Sequence, residues 1–158
     1  MLGAMNNIEY GVAEIDDLPR IVEMKMAMFL EAGHGDLLAK NASTIVLEDY
    51  KRLYENKVAS HFVARSNGEI VASVGVFIKS DLPFRYYSSP TYGFIGDVYV
   101  VKNYRQNGMA MRLSEDALAW LRLNEVKTVR LLASEGARPI YEKLGFMASD
   151  EMVLDLAT

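Results

Sequence analysis

Apolar positions along the chain recur with two periods, and the switches between them mark the elements. IEYGVAEI, Ile8 to Ile15, alternates like a first strand, and Asp16 or Asp17 stands where it can cap a helix whose Leu18, Ile21, Val22, Met28 and Phe29 follow helical spacing. Gly33 to Asp36, GHGD, breaks that helix. A second helix is predicted from Ser43 or Thr44, with Val46, Leu47, Tyr50, Leu53 and Tyr54 at three- and four-residue steps. HFVARS, the pair Asn67 and Gly68, and EIVASVGVFI then predict a hairpin, because Asn-Gly suits the positive φ angles of a type I′ turn.

A loop rich in aromatics and prolines, LPFRYYSSPTY, leads to a fourth strand around Phe94 to Val101. A third helix carries Ala110, Leu113, Ala117, Trp120 and Leu121 on one face, which predicts packing on a sheet. Thr128 to Ala133 reads as strand five. ARPIYEKL reads as a short helix stopped at Gly145, and EMVLDL, Glu151 to Leu156, as a closing strand. The order β-α-α-β-β-β-α-β-α-β predicts an α/β fold of mixed α+β type, with a mixed, mostly antiparallel central sheet flanked by helices. Residues 1–158 show no repeat, linker or low-complexity stretch, so one domain is expected.

Composition narrows the classes. A hydrophobic share of 51% and a charged share of 24% are those of an ordinary globular chain. The longest apolar run, Ile70 to Ile78, falls far short of the roughly 20 residues of a membrane span, and MLGAMNNIEY has no basic segment ahead of an apolar core. No membrane association and a cytoplasmic location are therefore expected. A net charge of −4 argues against a nucleic-acid partner, which normally meets a basic stripe. The chain has no cysteine, and its two histidines, His34 and His61, lie far apart without a ligand motif, so no metal site is expected.

Candidate chemistry begins at YRQNGMAMRL, Tyr104 to Leu113, a polar turn between a strand and a helix. The first amides of a helix lack internal partners and carry partial positive charge, so such a turn can seat an anion. Gly108 and Ala110 let a bulky anion approach the backbone, and Arg105 and Gln106 add donors. The plainer reading is that Asn107 caps the helix and Gly108 only eases the turn. Neither a P-loop nor a dinucleotide fingerprint is present.

Arg105 to Ala110, R-Q-N-G-M-A, matches the (Q/R)-x-x-G-x-(G/A) signature of the GNAT superfamily of acyl-coenzyme A dependent N-acetyltransferases, which the chain resembles. DVYVVKNYR upstream is similar to that family's fourth strand, and ASEGARPIYEKLGF downstream to its second motif. The likeness covers Phe94 to Phe146, about one third of the chain. It implies acetyl-CoA as co-substrate, held at its pyrophosphate by Arg105, Gln106, Asn107, Gly108, Met109 and Ala110, and at its pantetheine by the backbone of Val98 and Val100.

The resemblance further implies that Tyr141 donates to the departing sulfur. Where the family often has Asn seven residues earlier, contacting the coenzyme, this chain has Ser134, whose hydroxyl reaches less far. The implied reaction is direct attack of an amine acceptor on the thioester, without an enzyme intermediate. An amine of lysine-like pKa is only about 0.04% neutral at pH 7, so a base or water relay is expected to help. Asp97 is the nearest strand carboxylate, with an ordinary hydrogen-bonded Asp as the equal alternative. The aromatic loop Phe84, Arg85, Tyr86, Tyr87 and Tyr92 stands open between a lid over the acceptor and a homodimer contact. A non-catalytic acyl-CoA sensor and a helix-capped structural domain are the competing functions.

Overall fold

A computed structural model describes residues 7–81 and 89–157. Phe84, Arg85, Tyr86 and Tyr87 of the aromatic loop lie outside them. The strands are β1 (Ile8–Val12), β2 (Ala59–Ser66), β3 (Glu69–Ser80), β4 (Thr91–Val100) and β5 (Val129–Leu131). The helices are α1 (Leu18–Glu31), α2 (Ala42–Glu55), α3 (Met109–Leu123) and α4 (Arg138–Lys143), and chain order is β1-α1-α2-β2-β3-β4-α3-β5-α4. One sheet runs β1-β2-β3-β4-β5, antiparallel except for the parallel β4–β5 pair. The mixed α/β architecture expected from the pattern is therefore present. No helix among the described residues is long and apolar enough to cross a membrane.

The hairpin forms as its turn residues dictate. Asn67 and Gly68 have φ of +50° and +84°, and Ser66 pairs with Glu69 across them. Alternation then sorts β2: Phe62 and Ala64 pack into the core beneath α3, and Val63 into the core beneath α1 and α2. Helix α3 buries Leu113, Ala117 and Leu121, the last pressing on Gly93 of β4, where a Cβ would lie 2.6 Å from a Leu121 methyl carbon. Each fully buried leucine contributes about 1.5–3 kcal/mol.

One irregularity organises the functional end of the sheet. Between the pairs Gly75↔Gly96 and Ser73↔Tyr99, β4 spends three steps where β3 spends two, so β4 carries a bulge, and Asp97 within it has φ +53°. The bulge reverses the alternation. Ile95 before it and Val98 and Val100 after it all join the α3 core, whereas Tyr99 joins the α1/α2 core. Asp97 thereby faces α1 and α2 rather than the apolar core under α3, as its contacts with Lys25 and Tyr50 show.

The expected closing strand is not formed. Glu151 to Leu156 is irregular and joins no ladder, and Met152, Val153, Leu154 and Leu156 are 94, 88, 80 and 86% exposed. An apolar run supplies no ladder partner, and among the described residues the three-residue β5 pairs with β4 alone.

Candidate functional site

The polar turn is built by backbone conformation. After the short 3-10 turn Lys102–Tyr104, Arg105 is extended, Gln106 is left-handed at φ +64°, and Gly108 is left-handed at φ +73° as the N-cap of α3. Asn107 does not cap the helix as the plainer reading supposed. Its side-chain amide donates backwards, to the carbonyls of Tyr104 at 3.0 Å and Arg105 at 2.9 Å. No side chain caps α3, its first turn holds no acidic residue, and the first backbone bond found is from Arg112 to the Gly108 carbonyl. The amides ahead of Arg112 at the start of α3 thus keep their donors and roughly half a unit of positive charge for an anion. Met109 contributes only backbone here, because its side chain is 2% exposed in the α3 core.

Arg105 is already engaged. Its Nε donates to the Val100 carbonyl at 2.8 Å, its Nη2 donates to Glu31 Oε2 at 2.7 Å, and its guanidinium lies 5.5 Å from the Tyr99 ring centroid. The Tyr99 hydroxyl donates to the other Glu31 oxygen at 2.6 Å. The hydrogen bond from Tyr99, then that from Arg105, holds the Glu31 carboxyl below its usual range.

Beyond Ile95, β4 runs on without β5, since the parallel pairing covers only Gly93 to Ile95. Val101 N–H donates to Val71 of β3, so the intervening Val98 and Val100 turn their backbone groups to the opposite, open edge. That edge, starting at the bulge and ending near the α3 amides, offers the backbone groups of Val98 and the Val100 N–H to an extended ligand, the Val100 carbonyl being taken by Arg105 Nε.

Tyr141 lies on α4, 7% exposed, with its ring edge-on to Phe146 at 6.0 Å. Leu144 and Phe146, which follow α4, pack against the core beneath α3. Among the described residues nothing pairs with the Tyr141 hydroxyl, and burial raises its pKa, which keeps it a donor. Ser134, by contrast, shapes the turn ahead of α4, where its Oγ accepts from the Ala137 N–H at 3.3 Å. Exposed His34 caps the 3-10 turn Gly35–Leu37 with its backbone.

The sequence reading missed a buried polar cluster at the bulge. Asp97 accepts from Lys25 Nζ, from the Tyr50 hydroxyl and, at 3.1 Å, from His61 Nε2. His61 is fully buried, and its Nδ1 pairs with the Tyr54 hydroxyl at 2.7 Å. Burial pushes the Asp97 carboxyl up, but the hydrogen bond from His61 and the charge and hydrogen bond of Lys25 outweigh it and hold the group well below the carboxylate range. One signal was available: Ile95, Val98 and Val100 are spaced three and then two, a break in strand parity. Among the described residues no group of three or more His, Asp or Glu is arranged to hold a metal.

A five-stranded mixed sheet whose β4 runs on past its short pairing with β5, with an uncapped helix start beside that free edge, defines the class of α/β domain. The model of the Acetyltransferase (GNAT) family matches residues 27–146, and the chain belongs to that family. The fold is shared with a predicted acetyltransferase from Clostridium acetobutylicum solved with acetyl-CoA, at 21% identity over 94% of this chain and 96% of that one, TM-score 0.83. A GCN5-related N-acetyltransferase from Ralstonia eutropha is 22% identical over 96 and 100% of the two chains, TM-score 0.77. Aminoglycoside N-acetyltransferase AAC(6')-Iy, solved with CoA, is 16% identical over 94 and 93%, TM-score 0.73. No curated protein sequence matches the chain.

Proposed function

We propose that the chain is an N-acetyltransferase that moves the acetyl group of acetyl-CoA to an amine, on a small molecule or a protein. The observation that carries this reading is the α3 start: a left-handed Gly108, an Asn107 turned away, no capping side chain and no acidic residue in the first turn. In this reading those amides, with Gln106 and Arg105, hold the pyrophosphate. The open edge of Val98 and Val100 pairs with the pantetheine. When bound, the coenzyme supplies an activated acyl group that a neutral amine takes directly.

Tyr141 holds a proton at its hydroxyl oxygen and donates a hydrogen bond to the departing sulfur. Full transfer from a phenol of ordinary pKa to a thiolate is uphill by about 2 kcal/mol, and burial makes it steeper, so the contribution is a hydrogen bond. Asp97 is not the base, because its carboxylate is committed to Lys25, Tyr50 and His61. Ser134 keeps a hydroxyl proton for the coenzyme while accepting from Ala137.

Titration with acetyl-CoA by calorimetry tests the reading, with Gly108→Glu placing a carboxylate at the anion seat. Micromolar binding, about −8 kcal/mol, that the variant loses supports it, as does amine-dependent release of free thiol. Tight binding without turnover over a broad amine panel would favour the non-catalytic sensor. No binding at millimolar coenzyme would sink both.

A further inference from the structure

We infer that Asp97 is a positioning residue, whose anchoring by Lys25, Tyr50 and His61 fixes the β4 bulge and with it the direction of the Val98 and Val100 amides along the open edge. The inference rests on the acetyltransferase reading for its kinetic consequence, though not for its structural one. Three observations converge on it.

The first is conformation. Asp97 is left-handed at φ +53° inside a strand, which interrupts the ladder at that residue, and Asp is among the few side chains that adopt this region readily. The second is the anchoring itself. The Asp97 side chain is 5% exposed and is gripped from α1, α2 and β2, three elements distant in sequence. The third is that neighbouring positions are cut to fit: a Cβ on Gly75 would lie 2.9 Å from His61 Nε2 and 3.0 Å from the Phe77 ring. His61 occupies the space that a side chain at Gly75 would need.

The bulge sits where β4 leaves β5, and it sets the parity of everything after it. Were it to relax, Val98 and Val100 would exchange faces with Tyr99, and the donors of the open edge would rotate toward β3. The acyl end of a ligand lying on that edge meets Val98 before Val100, so the error would fall on the reacting group rather than on the distant anion seat.

Asp97→Asn is the informative substitution. Asn tolerates positive φ as Asp does, so the backbone preference is kept, but its NH2 would face the donors of Tyr50 and His61. The paired variant Lys25→Met/Asp97→Asn removes the lysine charge left without its partner. Three readouts are taken on all three proteins: 15N–1H spectra of the amides from Gly96 to Val100, the melting temperature, and steady-state kinetics with their pH profile.

In Asp97→Asn the Val98 and Val100 amide signals shift or broaden, and kcat falls roughly tenfold or more while KM for acetyl-CoA stays within about twofold. In the paired variant the melting temperature recovers and kcat does not. Unmoved amide signals would overturn the inference, as would kcat that recovers together with the melting temperature, because the cluster would then act through stability alone. Loss of the acidic limb of the pH–rate profile in Asp97→Asn would also overturn it, making Asp97 a base. Failure of the wild-type protein to bind or turn over acetyl-CoA would instead sink the acetyltransferase reading, and the amide signals would still judge the bulge.

Discussion

Arg105, in the turn before α3, and Glu31, the last residue of α1, form an ion pair at 2.7 Å that ties the anion seat to the first helix. Glu31 therefore cancels a positive charge at the place where a pyrophosphate would bind. Both side chains are substantially exposed, at 42 and 48%, so the pair is screened by solvent and contributes little to folding. Its consequence is for anions.

Glu31→Gln is expected to tighten acetyl-CoA binding severalfold at low salt, with the gain disappearing at high ionic strength. Arg105→Ala is expected to weaken it and to flatten the salt dependence. Titrations of both variants at two salt concentrations check this. Weaker binding by Glu31→Gln would mean that the carboxylate holds Arg105 in its working position.

Packing around the buried histidine gives a second prediction. Gly75→Ala drives a methyl group against His61 Nε2 and the Phe77 ring, and overpacking of this kind costs about 1–3 kcal/mol. Gly11→Ala in β1 meets nothing within 4 Å and serves as the control, with stability unchanged or slightly raised. Chemical denaturation of the two variants side by side measures the difference.

These residues also mark what the sequence could disclose. Asn67 and Gly68 announced the hairpin because their conformational preference is local, and Leu113, Ala117 and Leu121 announced a packed helix because periodicity is local. The cluster at Asp97 joins residues 72, 47 and 36 positions apart, and its existence depends on one extra residue in β4. Nothing in the residue type distinguishes such an Asp from a solvated one. Asn107 misled for a similar reason: its amide found two carbonyls in the preceding turn, and the capping position passed to Gly108. At Glu151 to Leu156 the apolar run Met152 to Leu154 suggests a strand, but a strand needs a partner that composition cannot promise.

The third prediction concerns acid. Asp97 has its folded-state pKa depressed below the unfolded value of 3.8, so in acid the unfolded chain binds the proton more readily than the folded one. The stability this group contributes is complete above that value and is lost as pH falls through and below it. Acid titration of the unfolding free energy should therefore show a drop below about pH 4 in the wild type. In Lys25→Met/Asp97→Asn that part of the drop is absent. An unchanged acid limb would mean that other carboxylates govern it.

Tyr141 gives the sharpest kinetic prediction, because its hydroxyl is free of structural duty among the described residues. Tyr141→Phe keeps the ring against Phe146 and removes only the donor, so the melting temperature should stay within about 1 °C. Coenzyme affinity should hold as well, since the α3 amides and the β4 edge are untouched. What should change is kcat, by about 10²-fold if the hydroxyl donates to the departing sulfur in the transition state. Burial raises the phenol pKa, so the wild-type rate should not fall as pH passes through the ordinary phenol range near 10, provided the fold holds there. A variant that binds, melts and turns over like the wild type would leave Tyr141 a packing aromatic and move the search for the donor to the bulge end of β4.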